Sequence, residues 1–198
     1  MSAEIRYIDT PHPVTGVTNS KLAIWTFIAS EVMLFGGLFS AYILLRSGQA
    51  NWPHGPELLN IPMATVNTMV LITSSVSMVM AWASLMMRKY NRFRLYLSAT
   101  ILLAMAFLVI KGFEYGHKFE HHITPATNNF YGIYFALTGL HVLHVIGGIF
   151  VLTYLLLTSR KLYDKNPTLL AGRIEAAGLY WHFVDLVWIF LFPALYLL

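Results

Sequence analysis

The chain has 198 residues, of which 57% are hydrophobic and only 11% are charged, and its formal net charge is +4. Soluble domains average about 45–50% apolar and about 25% charged residues, so this composition excludes an ordinary soluble protein and indicates an integral membrane protein. Because the chain has no cysteine, disulfides, thiolate metal sites and a cysteine nucleophile are excluded as well.

Five apolar segments are long enough to cross a bilayer as helices, which takes roughly 20 residues each. They predict helices over about 22–45, 62–87, 95–116, 130–159 and 171–198. The N-terminal tail, residues 1–20, does not resemble a signal peptide, because the apolar segment after it is far too long. The joints between the segments are short and polar, so the sequence predicts an all-α fold: one membrane domain over 1–198, built as a bundle of five antiparallel transmembrane helices.

The cations in the joints predict how the chain is oriented in the membrane. The second and fourth joints carry most of them: Arg88, Lys89, Arg92 and Arg94, and then Arg160, Lys161, Lys165 and Arg173. Cytoplasmic loops are enriched in Lys and Arg, so we expect a cytoplasmic N-terminal tail and a periplasmic or extracellular C-terminus. The cations lie at helix ends rather than along one face, a pattern that favours binding of anionic phospholipid headgroups and speaks against nucleic acid as a partner. Candidates for lipid binding are Arg92, Arg94 and Lys161.

Several polar side chains lie within the apolar segments, where each costs several kcal/mol unless it has a partner. The candidates for function are Glu31, Glu114, His141, His144, His182 and Asp185. Lys111 and Glu114 are three residues apart on one helix face and can pair with each other, as can His182 and Asp185. His141 and His144 share a face but cannot neutralise each other.

Glu31 has no ionisable residue within one helical turn, so its partner must come from another helix. Counted from the cytoplasmic helix ends at about 1.5 Å per residue, depth favours His182 over His144. His182 has Asp185 as a local partner, however, whereas His144 has no other evident acceptor. We therefore predict a hydrogen bond between Glu31 and His144, with His182 as the alternative.

These residues also have structural interpretations. Two histidines three residues apart make an incomplete coordination shell and are often interhelical hydrogen-bond partners, so we expect no metal site. Lys111 and Glu114 fall near the outer end of their helix, where an interfacial ion pair is a simpler interpretation than a transport role. For Glu31, packing and function explain the carboxylate equally well on physical grounds.

Four runs stand out in the sequence: FIASEVMLFGGLFSAY, GFEYGH, TGLHVLHVIGG and YWHFVDLVWIFLF. In order, spacing and predicted depth they resemble the motifs of subunit III of the haem–copper terminal oxidases, which include cytochrome c oxidase and bacterial quinol oxidases. The resemblance begins at Lys21 and is to the short, five-helix bacterial form. The resemblance matches Glu31 to the family's buried carboxylate and Glu114 to its outer acidic residue. It matches His141 and His144 to the paired histidines, and His182 and Asp185 to the last-helix signature.

The resemblance implies an accessory subunit of a proton-pumping oxidase in aerobic respiration, located in the bacterial inner membrane. Such a subunit has no catalytic residues and no metal; haem and copper belong to the partner catalytic subunit. It associates with subunits I and II, binds phospholipid and supports proton uptake. Longer members have two additional helices that form one arm of a lipid-holding cleft, so here that arm is either dispensable or supplied by another subunit, for instance an extended catalytic subunit.

Two alternatives stay open from the sequence. Related five-helix proteins accompany nitric oxide reductases, and the motifs do not report which gas the partner reduces. A small proton-coupled transporter that uses Glu31 as its carrier site is a different class of function; transporters usually show internal repeats and broken helices, and neither is visible here. The motifs also do not distinguish cytochrome c from quinol as the electron donor.

Overall fold

The computed structural model describes residues 19–53 and 55–198, and all regular structure within these ranges is helical. The described helices are α1 (Asn19–Ser47), α2 (Gly55–Leu58), α3 (Ile61–Met86), α4 (Tyr90–Glu120), α5 (Asn129–Lys165) and α6 (Pro167–Phe192), and a π-helical turn (Pro193–Leu197) follows α6. All except the short α2 are long and apolar enough to cross a membrane. The predicted all-α membrane bundle is therefore confirmed, whereas residues 1–18 of the predicted tail lie outside the described ranges.

Asparagine side chains set the starts of three membrane helices. The Oδ1 atoms of Asn60, Asn128 and Asn166 accept hydrogen bonds from the backbone N–H three residues later, at 3.0, 2.8 and 3.0 Å, respectively. Each bond satisfies one of the N–H groups that the first turn of a helix leaves without a partner. These caps fix where α3, α5 and α6 enter the bundle.

The second and fourth joints are shorter than the sequence predicts. The helix predicted over 130–159 continues to Lys165, and only Asn166 separates it from α6. The helix predicted to begin at residue 95 begins at Tyr90, whose ring packs against Tyr163 of α5 at a centroid distance of 4.9 Å. This packing holds the polar ends of α4 and α5 in helical form beyond the apolar segments, which apolar length alone does not predict.

The last predicted helix, over 171–198, is correct in position, but its hydrogen-bonding pattern changes from α-helical to π-helical at Pro193. Proline has no N–H and cannot donate the hydrogen bond to the carbonyl four residues earlier. The chain continues as a π-helical turn, in which the N–H of Leu198 donates to the Pro193 carbonyl at 3.1 Å. The Tyr42 hydroxyl of α1 donates to the carbonyl of Ala194 at 2.6 Å, so this turn is tied to α1.

Helix α1 packs on the rest of the bundle along one narrow seam. Its buried residues, Ile28, Phe35 and Tyr42, are spaced seven apart and contact the side formed by α5 and α6. Seven-residue spacing is typical of a single contact line between two helices. Gly36 and Gly37 lie off this line with no atom within 4 Å of an added Cβ. Most of the α1 surface is therefore uncovered within the described part of the chain.

Contact between α5 and α6 is much closer, because Gly148 meets the buried Trp181. A Cβ added at Gly148 would lie 2.6 Å from the indole ring, so any side chain there would displace it. Two polar contacts also mark opposite ends of the bundle: Lys21 pairs with Glu175 at 3.1 Å, and Arg46 donates to the Leu198 carbonyl at 3.1 Å. The start of α1 thus lies beside the start of α6, as five antiparallel crossings require.

Candidate functional site

The predicted hydrogen bond between Glu31 and His144 is present and joins α1 to α5. Glu31 Oε2 and His144 Nε2 are 2.8 Å apart, and the two side chains are only 13% and 14% exposed. Phe35, one turn after Glu31, packs on the imidazole ring at a centroid distance of 5.2 Å. Glu31 therefore takes its partner from another helix, as the absence of a local ionisable partner predicts.

The surroundings of His144 determine where its protons lie. Nδ1 is 2.8 Å from the carbonyl oxygen of Leu140, and a carbonyl can only accept, so Nδ1 carries a proton. Nε2 then shares one further proton with Glu31: the pair is either a carboxylic acid with a neutral imidazole or a carboxylate with an imidazolium. The Tyr180 hydroxyl donates to the His144 carbonyl at 2.9 Å and holds this part of α5 in place. The pair can thus hold one exchangeable proton in a fixed geometry.

The predicted ion pair between Lys111 and Glu114 is also present, but it is enclosed by the bundle. Lys111 Nζ donates to Glu114 Oε2 at 2.9 Å, and the two residues are 2% and 6% exposed. Oε1 of Glu114 accepts from the hydroxyls of Tyr134 and Tyr196 at 2.8 and 2.7 Å. Lys111 also donates to the Tyr196 hydroxyl at 2.6 Å. Three helical elements, α4, α5 and the π-helical turn, therefore converge on this cluster.

The sequence interpretation missed the aromatic part of this cluster. Lys111 Nζ lies 4.8 Å from the Trp188 ring centroid and 5.2 Å from that of Tyr196, within the range of cation–π contacts. A signal was available, because a tyrosine hydroxyl within a membrane helix needs a hydrogen-bond partner. Tyr134 and Tyr196 satisfy this need at Glu114, and only the packing of α5 and the π-helical turn against α4 brings them there.

The predicted pair between His182 and Asp185 is wrong. His182 Nδ1 lies 2.6 Å from the Ser75 hydroxyl of α3, and neither carboxylate oxygen of Asp185 has a hydrogen-bond partner among the described residues. Asp185 is nevertheless 4% exposed. Spacing of three residues puts two side chains on one helix face, but it does not show whether a neighbouring helix offers a nearer partner. Ser75 is that partner for His182.

His141 does not share the environment of His144. It is fully buried, and its ring packs against Trp188 and Phe107 at centroid distances of 5.1 and 5.6 Å. Neither ring nitrogen has a partner within the described ranges. Over the same residues, no group of three or more His, Asp or Glu side chains is placed to hold a metal ion. His141 is therefore a core residue beside the Lys111 cluster.

A groove of about 1350 Å³ runs between α1, α5 and α6 at the end where α1 and α6 begin. Its walls are mainly apolar, with Ile24, Phe27 and Phe150 among them, and Arg173 is the charged residue in its lining. On α6 the groove extends from Thr168 to Tyr180, which is about 18 Å along the axis. Arg92, Arg94 and Lys161, the cations predicted to bind lipid, are exposed but do not line it.

The end of the groove at Tyr180 lies next to the Glu31–His144 pair. Phe27 is one turn before Glu31 on α1, and Gly147 is three residues after His144 on α5; both line the groove. Tyr180, which donates to the His144 carbonyl, closes it and packs against Phe27 at a centroid distance of 5.9 Å. The groove and the proton-holding pair are thus neighbours.

Comparisons with known proteins agree with the resemblance read from the four motifs. A family model described as "Cytochrome c oxidase subunit III" matches residues 4–198. A cytochrome c oxidase subunit 3 from Alkalihalophilus pseudofirmus is 33% identical over 91% of this chain and 87% of its own length. A probable quinol oxidase subunit 3 from Staphylococcus haemolyticus is 31% identical over 90% of this chain and 89% of its own.

A third relative is a longer protein. The haem–copper oxidase subunit I+III of Aeropyrum pernix is 33% identical over 89% of this chain, which corresponds to 22% of that protein. Most of the chain is therefore similar both to proteins named subunit 3 and to a protein whose name joins subunits I and III. With the family model covering nearly all of the sequence, the chain belongs to the cytochrome c oxidase subunit III family and is an accessory subunit of an oxidase.

Proposed function

We propose that the chain is a non-catalytic subunit of a proton-pumping oxidase that supports proton uptake through the Glu31–His144 pair and holds phospholipid in the neighbouring groove. Haem and copper are assigned to the partner catalytic subunit. The observation that carries the proposal is the 2.8 Å hydrogen bond between Glu31 Oε2 and His144 Nε2. It provides one transferable proton on the α1–α5 seam, in surroundings from which most solvent is excluded.

Subunits I and II are the proposed partners of the bundle. A relative whose name joins subunits I and III supports a contact with subunit I in particular. The uncovered face of α1, which includes Gly36 and Gly37, is a suitable surface for such a contact, because small residues let helices approach closely. A subunit packed there would also replace the arm that the two helices of the longer form provide.

Purification of the native complex tests this function directly. We expect the chain to copurify with haems of the a or o type and copper, because the oxidase centres lie in subunit I. Copurification with haem b and non-haem iron would instead support a nitric oxide reductase. Ion flux through vesicles that contain only the isolated chain would contradict the proposal and support a transporter. The electron donor follows from the same preparation, assayed with cytochrome c and with quinol.

The groove is proposed to hold one acyl chain of a phospholipid, with Arg173 near its headgroup. From Arg173 to Tyr180, about 10 Å along the α6 axis, the mainly apolar wall suits part of an acyl chain, and the Arg173 guanidinium suits an anionic headgroup. Arg92, Arg94 and Lys161 lie near the ends of α4 and α5 and are proposed to bind further anionic headgroups outside the groove. Both arrangements place lipid at the end of the bundle assigned to the cytoplasm.

Arg173→Gln is expected to weaken retention of this lipid about fivefold, because one cation near an anionic headgroup contributes about 1 kcal/mol. The measurement is the amount of phospholipid per complex, by mass spectrometry, during stepwise delipidation. Arg160→Gln is the matched control, because Arg160 is exposed near the same end and pairs with Asp164 at 3.2 Å outside the groove. Equal lipid loss from both variants would contradict the assignment.

The proposed orientation, with the N-terminus cytoplasmic, is open to cysteine labelling because the chain has no cysteine of its own. Asn91→Cys places a thiol at the exposed start of α4, and Ala126→Cys places one in the turn before α5. Ala126 is used because Asn128 caps α5. An impermeant maleimide added outside should label Ala126→Cys and leave Asn91→Cys unlabelled; the reverse pattern would invert the topology.

A further inference from the structure

A further buried carboxyl, Asp185, lies at the interface between α6 and α3 and belongs neither to the Glu31–His144 pair nor to the Lys111–Glu114 pair. Only 4% of its surface is exposed. Neither of its oxygens has a hydrogen-bond partner within the described part of the chain. Ser75 of α3 bonds His182 Nδ1 at 2.6 Å, and Asp185 lies three residues after His182, on the same face of α6. The Ser75 hydroxyl therefore lies against the face of α6 that carries both the histidine and the buried carboxyl.

An ionised Asp185 would have no hydrogen-bonded counter-charge among the residues that the structure describes. Two buried charged pairs on the neighbouring helices are already committed: Glu31 of α1 to His144 of α5, and Glu114 to Lys111 within α4. A third buried cation, Lys118 of α4, donates to the Leu58 carbonyl at 3.5 Å. The fully buried His141 of α5 packs against Trp188 of α6 rather than Asp185. An unpaired carboxylate within a membrane bundle is costly, whereas a carboxylic acid has an O–H to donate.

His182 connects this site to the surface of the bundle. Its ring is only partly buried, in contrast to Asp185, and Nδ1 is the atom that bonds Ser75. When Ser75 donates to Nδ1, the neutral imidazole carries its own proton on Nε2. The serine oxygen is then free to accept from a protonated Asp185, which gives a directed chain from the buried carboxyl to the imidazole.

We propose that Asp185, Ser75 and His182 form a proton-binding site in which Asp185 holds the proton and His182 exchanges it with the surface of the bundle. On release, the Asp185 proton passes to the Ser75 oxygen, the Ser75 proton passes to His182 Nδ1, and the Nε2 proton leaves to water or a basic group at the surface. The site is then an aspartate, a neutral serine and a histidine in its other tautomer. Uptake is the reverse sequence.

Infrared spectroscopy of the purified oxidase complex that contains this chain tests the site. At neutral pH the complex should show a protonated-carboxyl stretch that Asp185→Asn removes, while Asn keeps the shape of the side chain. After transfer into D2O, Ser75→Ala should slow the deuterium shift of this band roughly tenfold, the effect of losing about one hydrogen bond's stabilisation from the transfer path. Ser77→Ala is the matched control, because Ser77 lies on the same helix but bonds Thr100 of α4 at 2.6 Å.

Three results would count against the proposal. If Asp185→Asn removes a carboxylate band and no protonated band, Asp185 does not hold a proton at neutral pH. If Ser75→Ala and Ser77→Ala leave the deuterium shift equally fast, the proton does not leave through Ser75. If the Asp185→Asn complex does not assemble, Ser75→Ala still tests the proposal in a complex that keeps the native carboxyl. Removing the Ser75 hydroxyl must shift the frequency of the Asp185 stretch. An unchanged spectrum counts against the site.

Discussion

Replacement of Glu31 by Gln is expected to leave assembly of the complex intact but to abolish carbodiimide modification of α1 and to lower proton pumping and turnover lifetime. A glutamine amide can still donate to His144 Nε2, so the hydrogen bond between α1 and α5 is kept and stability should change by less than about 1 kcal/mol. The transferable proton is lost, because an amide does not exchange a proton as a carboxyl does. Carbodiimides react with the carboxyl group, so their target is lost as well.

The measurements for Glu31→Gln are proton release per electron, the number of turnovers before inactivation, and carbodiimide labelling of the purified complex. Glu175→Gln is the control, since it makes the same chemical change at a more exposed carboxylate that pairs with Lys21 at 3.1 Å. If Glu31→Gln leaves pumping, turnover lifetime and carbodiimide sensitivity all unchanged, Glu31 is a packing residue and its proposed role in proton uptake is wrong.

The success of the Glu31–His144 prediction and the failure of the His182–Asp185 prediction have one physical origin. Glu31 has no local partner, so its partner had to be a buried group on another helix. His144 was preferred to His182 because Asp185 was taken as the partner of His182; the choice is right, although that premise is wrong. His182 has Asp185 on its own face, and spacing alone favoured that pair. The actual partner, Ser75, is an uncharged hydroxyl on α3, and many serines in the sequence carry the same signal. Only the packing of α3 against α6 selects it.

Helix existence was predictable and helix ends were not, for a similar reason. Apolar length identifies every membrane segment, because hydrocarbon imposes a minimum span. The ends depend on contacts outside the apolar segments, such as the packing of Tyr90 on Tyr163, which extends α4 and α5. The change to a π-helical turn at Pro193 could be suspected from the proline. Its consequence, the arrival of Tyr196 at Glu114, required the tertiary arrangement.

The largest loss of stability is expected when one partner of the buried Lys111–Glu114 pair is removed. Glu114→Gln leaves the Lys111 ammonium buried without a counter-charge and takes a charged acceptor from the hydroxyls of Tyr134 and Tyr196. Breaking a buried ion pair in this way costs about 3–5 kcal/mol. The measurement is the free energy of unfolding of the chain in detergent, or its loss from the purified complex on heating.

A double-mutant cycle separates the charge from the packing of this cluster. Lys111→Met combined with Glu114→Gln removes both charges, so no unpaired ion remains, and the double variant should be more stable than Glu114→Gln alone. The control is Asp164→Asn, which breaks the exposed pair with Arg160 at 3.2 Å and should cost less than about 1 kcal/mol. If Glu114→Gln costs no more than Asp164→Asn, the buried pair does not hold α4, α5 and the C-terminal turn together.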